Sequence, residues 1–253
     1  MFDANGSFSM ILPQPKDAAH KAWLYRVLRG IYSDAALANT LYFKGGTCAA
    51  MLGYLDRFSV DLDFDFVGKG DVLQNIQTRL EKIFYDLGLT IYDQSKNVPQ
   101  YFLKYEAPND ARNTMKIDVL TPPPNANAYE SKRFPEVDRI ITCQTIETMM
   151  ANKLVALIDR YEQSGAIAGR DLYDIHHFFL KGYRYNEAVI SERTGKDIKN
   201  FFIDIINFIE QNITDKIIQQ DLNTLLPYER FSRIRKILKP ETLMFLRNEQ
   251  KRI

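Results

Sequence analysis

The sequence predicts an α+β fold, a mixed sheet with flanking helices followed by a C-terminal helical bundle. Three observations carry this. A Gly-Gly-Thr turn and a short helical segment lead into a strand of alternating aspartates over residues 60–67. Several strand-like segments follow up to residue 142, separated by glycine, proline and asparagine breaks. From residue 145 onward the apolar residues recur almost without interruption at helical spacing.

Composition sets the outer bounds. The chain has 253 residues and is 45% apolar, enough for one large domain or two smaller ones. The change from strand-like to helical patterning predicts domains over residues 1–143 and 144–253. A net charge of +1 gives no global attraction to nucleic acid or membrane, so any such surface is local. Cys48 and Cys143 lie far apart without metal-ligand spacing, which fits a reducing, cytoplasmic setting. The N-terminal residues lack the basic start of a signal peptide, and no stretch approaches the ~18 apolar residues of a membrane span. No membrane partner is expected.

Taken in order, Gly6, Pro13 and Pro15 make residues 1–16 an arm. Asp17 is placed to N-cap a helix over 18–29, with Ala19, Trp23 and Val27 at helical spacing. A short helix over 33–39 leads to a strand over 41–43. Along 60–67, Leu62, Phe64 and Phe66 share one face and Asp61, Asp63 and Asp65 the other. Three carboxylates on one face repel, and survive only with solvent, a cation or a basic neighbour. Asp71 then caps a helix carrying the stripe Val72, Ile76, Leu80, Ile83, Phe84 and Leu87, which Gly88 ends. Strands are expected over 89–93, 100–106 and 113–120; in the last, Lys116 and Asp118 oppose Met115, Ile117 and Val119. A proline-rich loop over 121–127 precedes a further strand over 139–142.

The helical half divides into segments over 146–161, 186–194, 197–212, 215–225 and 229–238. Phe201, Phe202, Ile205, Ile206, Phe208 and Ile209 should be core. His176 and His177 are adjacent, so on a helix they point roughly 100° apart and form no metal pair; packing or solvation is expected, and His20 is isolated. Beyond Pro227, Arg230, Arg233, Arg235, Lys236, Lys239, Arg247, Lys251 and Arg252 outnumber Glu229, Glu241 and Glu249. Such an excess could dock RNA phosphates, although a solvated helix face is the default for such a run.

The chemistry suggested is phosphoryl transfer. Mg²⁺ takes one or two carboxylates plus phosphate oxygens and water, and residues at i and i+2 of a strand, here Asp61 and Asp63, present oxygens to one side. Gly45 and Gly46 let the backbone approach a polyphosphate, the helix start offers N–H donors, and Thr47 adds a hydroxyl. The competing reading is a glycine turn before an edge strand protected by inward charges.

Gly45-Gly46-Thr47, a short helix and then Arg57-Phe58-Ser59-Val60-Asp61-Leu62-Asp63-Phe64 resembles the nucleotidyltransferases of the polymerase-beta superfold. More narrowly it is similar to the AbiEii/AbiGii toxin family, in which Arg-Phe-Ser leads into the Asp-x-Asp strand. Lys-Leu-Val-Ala-Leu-Ile-Asp-Arg over 153–160 and Arg-Asp-Leu-Tyr-Asp-Ile over 170–175 resemble that family's second and third blocks. The resemblance implies a polymerase-beta-like sheet and transfer of a nucleoside monophosphate from an NTP to an acceptor. It implies two Mg²⁺ ions, with Mn²⁺ as an alternative, on Asp61 and Asp63, with Asp118 as third metal carboxylate. It assigns catalytic roles to Asp61, Asp63, Lys153 and Asp171, and substrate contacts to Lys44, Gly45, Gly46, Thr47, Arg57, Ser59 and Arg160. Lys153 would neutralise triphosphate charge, and Arg160 would hold Asp171 or Asp174. The alternatives are that Asp118 is an ordinary strand-end aspartate, and that Lys153, Arg160, Arg170, Asp171 and Asp174 form an interhelical salt-bridge network.

The resemblance also implies a toxin of a type IV toxin–antitoxin pair acting in phage defence, with tRNA as acceptor and a cognate antitoxin as partner. Residues 93–108 match no motif of that family. Two further readings are nucleotidyl transfer to a small molecule, and a non-catalytic module of the same fold that binds nucleotide or a partner. Retention of Gly-Gly-Thr, both aspartates and Lys153 argues against the last.

Overall fold

A computed structural model describes residues 10–69, 72–96, 98–108 and 110–253. The chain separates into two compact units. One runs to Pro123 and resumes at Tyr129–Gln144; the other comprises Pro124–Ala128 and Thr145–Ile253. The short Pro124–Ala128 segment belongs with the helices for a local reason. The Glu192 carboxylate accepts the amides of Asn125 at 2.8 Å and Ala126 at 2.7 Å, and Thr148 Oγ1 accepts the amide of Ala128 at 3.1 Å.

The first unit contains α1 (Asp17–Ile31), α2 (Ala35–Ala38), β1 (Leu41–Lys44), α3 (Gly45–Met51), β2 (Leu62–Phe66), α4 (Leu73–Asp86), β3 (Thr90–Gln94), β4 (Gln100–Lys104), β5 (Thr114–Leu120), β6 (Tyr129–Phe134) and β7 (Arg139–Gln144). The strands form one sheet in the order β3-β4-β5-β2-β1-β7-β6. Pairing is antiparallel between β1 and β2 but parallel between β2 and β5 and between β1 and β7, so the sheet is mixed. Alternation drives β2: Leu62, Phe64 and Phe66 are buried, and Phe64 meets Phe43 with ring centroids 5.5 Å apart. The sequence pattern does not predict β6. Its segment Tyr-Glu-Ser-Lys-Arg-Phe carries almost no apolar alternation, as suits the last strand at a sheet edge.

One end signal differs from expectation. Asp17 is the first residue of α1 rather than its cap, and its carboxylate accepts the Gln14 amide at 3.0 Å. The buried stripe of α1 is His20, Leu24, Val27, Leu28 and Ile31, with Ala19 exposed. The expected cap of α4, Asp71, lies outside the described residues.

The second unit contains α5 (Ile146–Ser164), α6 (Gly169–Leu180), α7 (Glu187–Thr194), α8 (Ile198–Asn212), α9 (Asp215–Leu222) and α10 (Tyr228–Arg252). Thr145, Asn186, Asp197 and Thr214 cap α5, α7, α8 and α9 through their side chains. All six apolar residues expected in the core from α8 are buried. α10 does not stop at Leu238 but continues through Pro240. A proline inside a helix costs roughly 3 kcal/mol. Burial of Leu238, Thr242, Leu243 and Leu246 on either side of it outweighs that cost.

Candidate active site

The turn between β1 and α3 brings backbone against carboxylate. Gly45 has φ 78°, and a Cβ there would run into the Asp63 carboxylate. A Cβ on Gly46 would sit 2.6 Å from an Arg57 guanidinium nitrogen. Only glycine permits both the left-handed backbone and the close approach at position 45. Behind the turn, Thr47, Arg57 and Ser59 are buried. Thr47 Oγ1 donates to the Asp61 carbonyl and lies 2.8 Å from Ser59 Oγ, while Arg57 Nη1 donates to the Phe58 carbonyl at 2.8 Å. These three side chains tie the glycine turn to the irregular segment that delivers Asp61.

The three same-face acids meet different surroundings. Asp65 is 0% exposed. Its carboxylate accepts Lys44 Nζ at 2.7 Å, the Tyr129 hydroxyl at 2.9 Å and Gln144 Nε2 at 2.7 Å. Lys44 is thus the basic neighbour that makes the buried Asp65 tolerable. Asp63 stands in register with Lys44 on β1 and with Asp118 on β5. Asp61 Oδ1 accepts the Lys116 amide at 3.2 Å, and Asp118 pairs with the Lys116 ammonium and accepts Gln100 Nε2 at 3.2 Å. Lys44, Asp63 and Asp118, with Val98, Val119, Leu120 and Thr121, line an open cavity of ≈ 250 Å³. Gly45, Gly46, Thr47 and Asp61 are not among the lining residues.

A buried histidine supports this segment from α1, a role the sequence did not reveal because its partners are remote in the chain. His20 is fully buried, with Nδ1 against the Tyr105 hydroxyl and Nε2 2.9 Å from the Val60 carbonyl. Burial, opposed by the Val60 hydrogen bond, lowers its pKa to about 4. The ordinary value is ~6.5, so the unfolded chain binds a proton that the folded chain refuses between those values. The stability gained from a neutral His20 is complete above pH ~6.5 and is lost as pH falls to about 4. A chemical-unfolding series across that window should show His20→Gln with a flatter acid limb than wild type.

In the second unit, α5 and α6 bring together the other predicted residues. Lys153 Nζ lies 2.8 Å from Asp171 Oδ1 and 3.1 Å from Asp174 Oδ2, and Arg160 Nε is 3.4 Å from Asp171 Oδ2. Lys153 and Arg160 are seven residues apart, almost two turns, so both reach α6 from one face. Burial alone would raise the Asp171 carboxyl, but Lys153 and then Arg160 outweigh it and hold the group below its usual range. This is the interhelical ion-pair network, with two buried acids sharing one ammonium. His176 and His177 are both buried, His176 Nε2 2.7 Å from Glu241 and His177 stacked beside Tyr173.

A glycine turn pressed on a strand aspartate, itself in register with an acid on the parallel neighbour in a mixed seven-stranded sheet, defines a nucleotidyltransferase-type fold. A family profile described as "Nucleotidyl transferase AbiEii toxin, Type IV TA system" matches residues 26–233. The chain belongs to this AbiEii nucleotidyltransferase toxin family of type IV toxin–antitoxin systems. Among solved structures it is similar to a proposed nucleotidyltransferase from H. pylori, at 20% identity and TM-score 0.62, over 94% of this chain and 96% of that one. JHP933 from Helicobacter pylori aligns at 19% identity and TM-score 0.56, over 96% and 94% of the two chains. The nucleotidyltransferase toxin MenT4 (Rv2826c) of Mycobacterium tuberculosis H37Rv aligns at 16% and TM-score 0.53, over 94% and 87%. These likenesses establish the fold. No curated protein matches the sequence. Among the described residues, no helix is long and apolar enough to cross a membrane.

Proposed function

We propose that this chain moves a nucleoside monophosphate from an NTP to a hydroxyl of an RNA acceptor, tRNA being the leading candidate. The acceptor oxygen bonds to the α-phosphorus, the α–β phosphoanhydride breaks, pyrophosphate leaves and the hydroxyl proton passes to solvent or a carboxylate. The observation that carries this reading is the in-register pair Asp63 and Asp118 facing one cavity beside Gly45.

The donor set fits a hard divalent cation. Asp63 and Asp118 offer only oxygen, and Mg²⁺ is commonly bound by one or two carboxylates with phosphates and water completing its shell. Among the described residues no three acids, histidines or cysteines stand grouped as a metal site, so the ligand set rests on the family resemblance, with Asp63 and Asp118 in register as its structural support. Asp61 and Asp63 would hold Mg²⁺ (Mn²⁺ as substitute), with Asp118 as third carboxylate once its pairing with Lys116 is shared. When bound, the ion supplies neutralisation of phosphate charge and acidifies a coordinated hydroxyl.

The chain's own residues do the rest. Gly45 and Gly46 present backbone to the terminal phosphates; Thr47, Arg57 and Ser59 hold that turn in shape from behind. Lys44, pinned by Asp65, keeps positive charge at the cavity wall. Lys153, Arg160 and Asp171 enter as the family's second and third blocks, Lys153 as a compact charge for the triphosphate and Asp171 as its orienting acid. Membership of a type IV pair adds a cognate antitoxin, a cytoplasmic setting and phage defence to the proposal.

Incubation with each α-labelled NTP, total tRNA and a small-molecule extract tests the reading. Label in the RNA fraction is expected. Label in a small product instead would support the small-molecule alternative, and label in neither would favour a non-catalytic binding module.

A further inference from the structure

Residues 93–108, outside the family's motifs, supply the end of β3 and all of β4. Alternation gives this part of the sheet two unlike faces. Tyr101, Leu103, Met115 and Ile117 are buried on one, where Tyr101 meets Phe84 of α4 with ring centroids 5.2 Å apart. The other face carries Gln100, Phe102 and Lys104 of β4, in register with Asp118, Lys116 and Thr114 of β5. That face is continuous with the candidate site. Asp118 stands in register with Asp63, and the Lys116 amide donates to Asp61. Two rows therefore lead across the sheet from the carboxylates, Asp63 to Asp118 to Gln100 and Asp61 to Lys116 to Phe102.

The second row ends on exposed aromatic surface. A bulge between Ile91 and Asp93 takes Tyr92 out of the regular pairing, and its ring lies 6.0 Å from that of Phe102. Tyr92 is 53% exposed on the edge strand, and Phe102 is half-buried. Lys116 Nζ stands 5.9 Å from the Phe102 ring centroid while it pairs with Asp118. Lys104 is exposed on the same face of β4, and so is Asp93, the register partner of Phe102. Open aromatic rings beside lysines suit single-stranded nucleic acid, whose bases stack on the rings while cations take the phosphates.

We propose that Phe102 and Tyr92 form a stacking platform for an unpaired stretch of the acceptor RNA, with Phe102 under the nucleotide that carries the attacking hydroxyl and Lys104 on its backbone. Direction selects the acceptor over the NTP base. In the proposed reaction the terminal phosphates lie on Gly45 and Gly46 at the end of β1, so pyrophosphate leaves on that side of Asp63. In-line displacement brings the hydroxyl from the opposite side, and β5, β4 and β3 follow β2 in that direction. Neighbouring strands are ~4.8 Å apart, which puts a base on Phe102 within one nucleotide's length of Asp118. The inference rests on the RNA-acceptor reading above and adds to it the residues that select unpaired RNA.

Phe102→Trp turns the platform into its own probe, read against the wild-type signal of Trp23. A single-stranded oligoribonucleotide should quench the new indole, and the same strand annealed to its complement should do so several-fold less. Tyr92→Ala, at an exposed position that does not threaten folding, and Phe102→Leu should each weaken binding of the single strand about tenfold, with NTP binding unchanged. A pair that serves only cross-strand packing would move the melting temperature and leave RNA affinity alone. Absence of quenching with unchanged RNA affinity overturns the proposal. Quenching by NTP in place of RNA overturns it too, by putting the NTP base on the platform. The two readings fail separately. RNA labelling by wild type, with an unchanged KM for RNA in Tyr92→Ala and Phe102→Leu, removes the platform and keeps RNA transfer. Strand-dependent quenching, with no RNA labelled by wild type, keeps a platform for unpaired RNA and removes RNA as acceptor.

Discussion

Asp63→Asn is expected to lower nucleotidyl transfer by about three orders of magnitude while the melting temperature holds or rises. Removing one charge from a metal-holding carboxylate costs several kcal/mol of transition-state stabilisation, and each ~1.4 kcal/mol is tenfold in rate. The amide keeps the shape that Gly45 is pressed against. It also removes one member of a like-charged pair, since Asp63 and Asp118 stand side by side in the parallel β2–β5 ladder. Parallel rate and thermal-melt measurements check this; a variant with wild-type turnover would take Asp63 out of the site.

Lys153→Ala should cost about 3–5 kcal/mol of stability, far more than the ~1 kcal/mol of an exposed lysine. The reason is what it abandons. Asp171 and Asp174 are both buried, and Lys153 is the cation that touches both. Arg160 pairs with Asp171 as well, from a half-exposed position. The folded pKa of Asp171 lies below its unfolded value of ~3.9. Its stabilising contribution is therefore present above pH ~3.9 and is lost as pH falls through the folded value, and Lys153→Ala should erase that limb. Urea unfolding at pH 7 reads the loss; a cost under 1 kcal/mol would contradict the buried network. Adding Asp171→Asn and Asp174→Asn to Lys153→Ala should restore much of the stability, and NTP turnover by that triple variant then reads the catalytic part separately from folding.

The β1–α3–β2 region was legible because its physics is local. Period-two alternation fixes the faces of β2, and consecutive glycines mark a turn that side chains cannot enter. The same period could not say which aspartate would be buried. Asp61, Asp63 and Asp65 look equivalent in the alternating pattern, and long-range pairing distinguishes them: it brings Lys44, Tyr129 and Gln144 to Asp65, the Lys116 amide to Asp61 and Asp118 into register with Asp63. His20 was opaque for the same reason: Tyr105 and Val60 are 85 and 40 residues away. At Pro240 a sound local rule met a larger tertiary term, because the helix buries Leu243 and Leu246 beyond it. In the helical unit the sequence offered two uses for Lys153, and the geometry fills the structural one with both acids.

The most direct test of the account is NTP transfer by chelator-treated wild-type protein, titrated with Mg²⁺. Transfer should be silent after chelation and return with added Mg²⁺ or Mn²⁺, while Asp63→Asn stays silent at every concentration. Undiminished transfer in the chelated protein would contradict the assignment of the β2 and β5 carboxylates as a divalent-metal site.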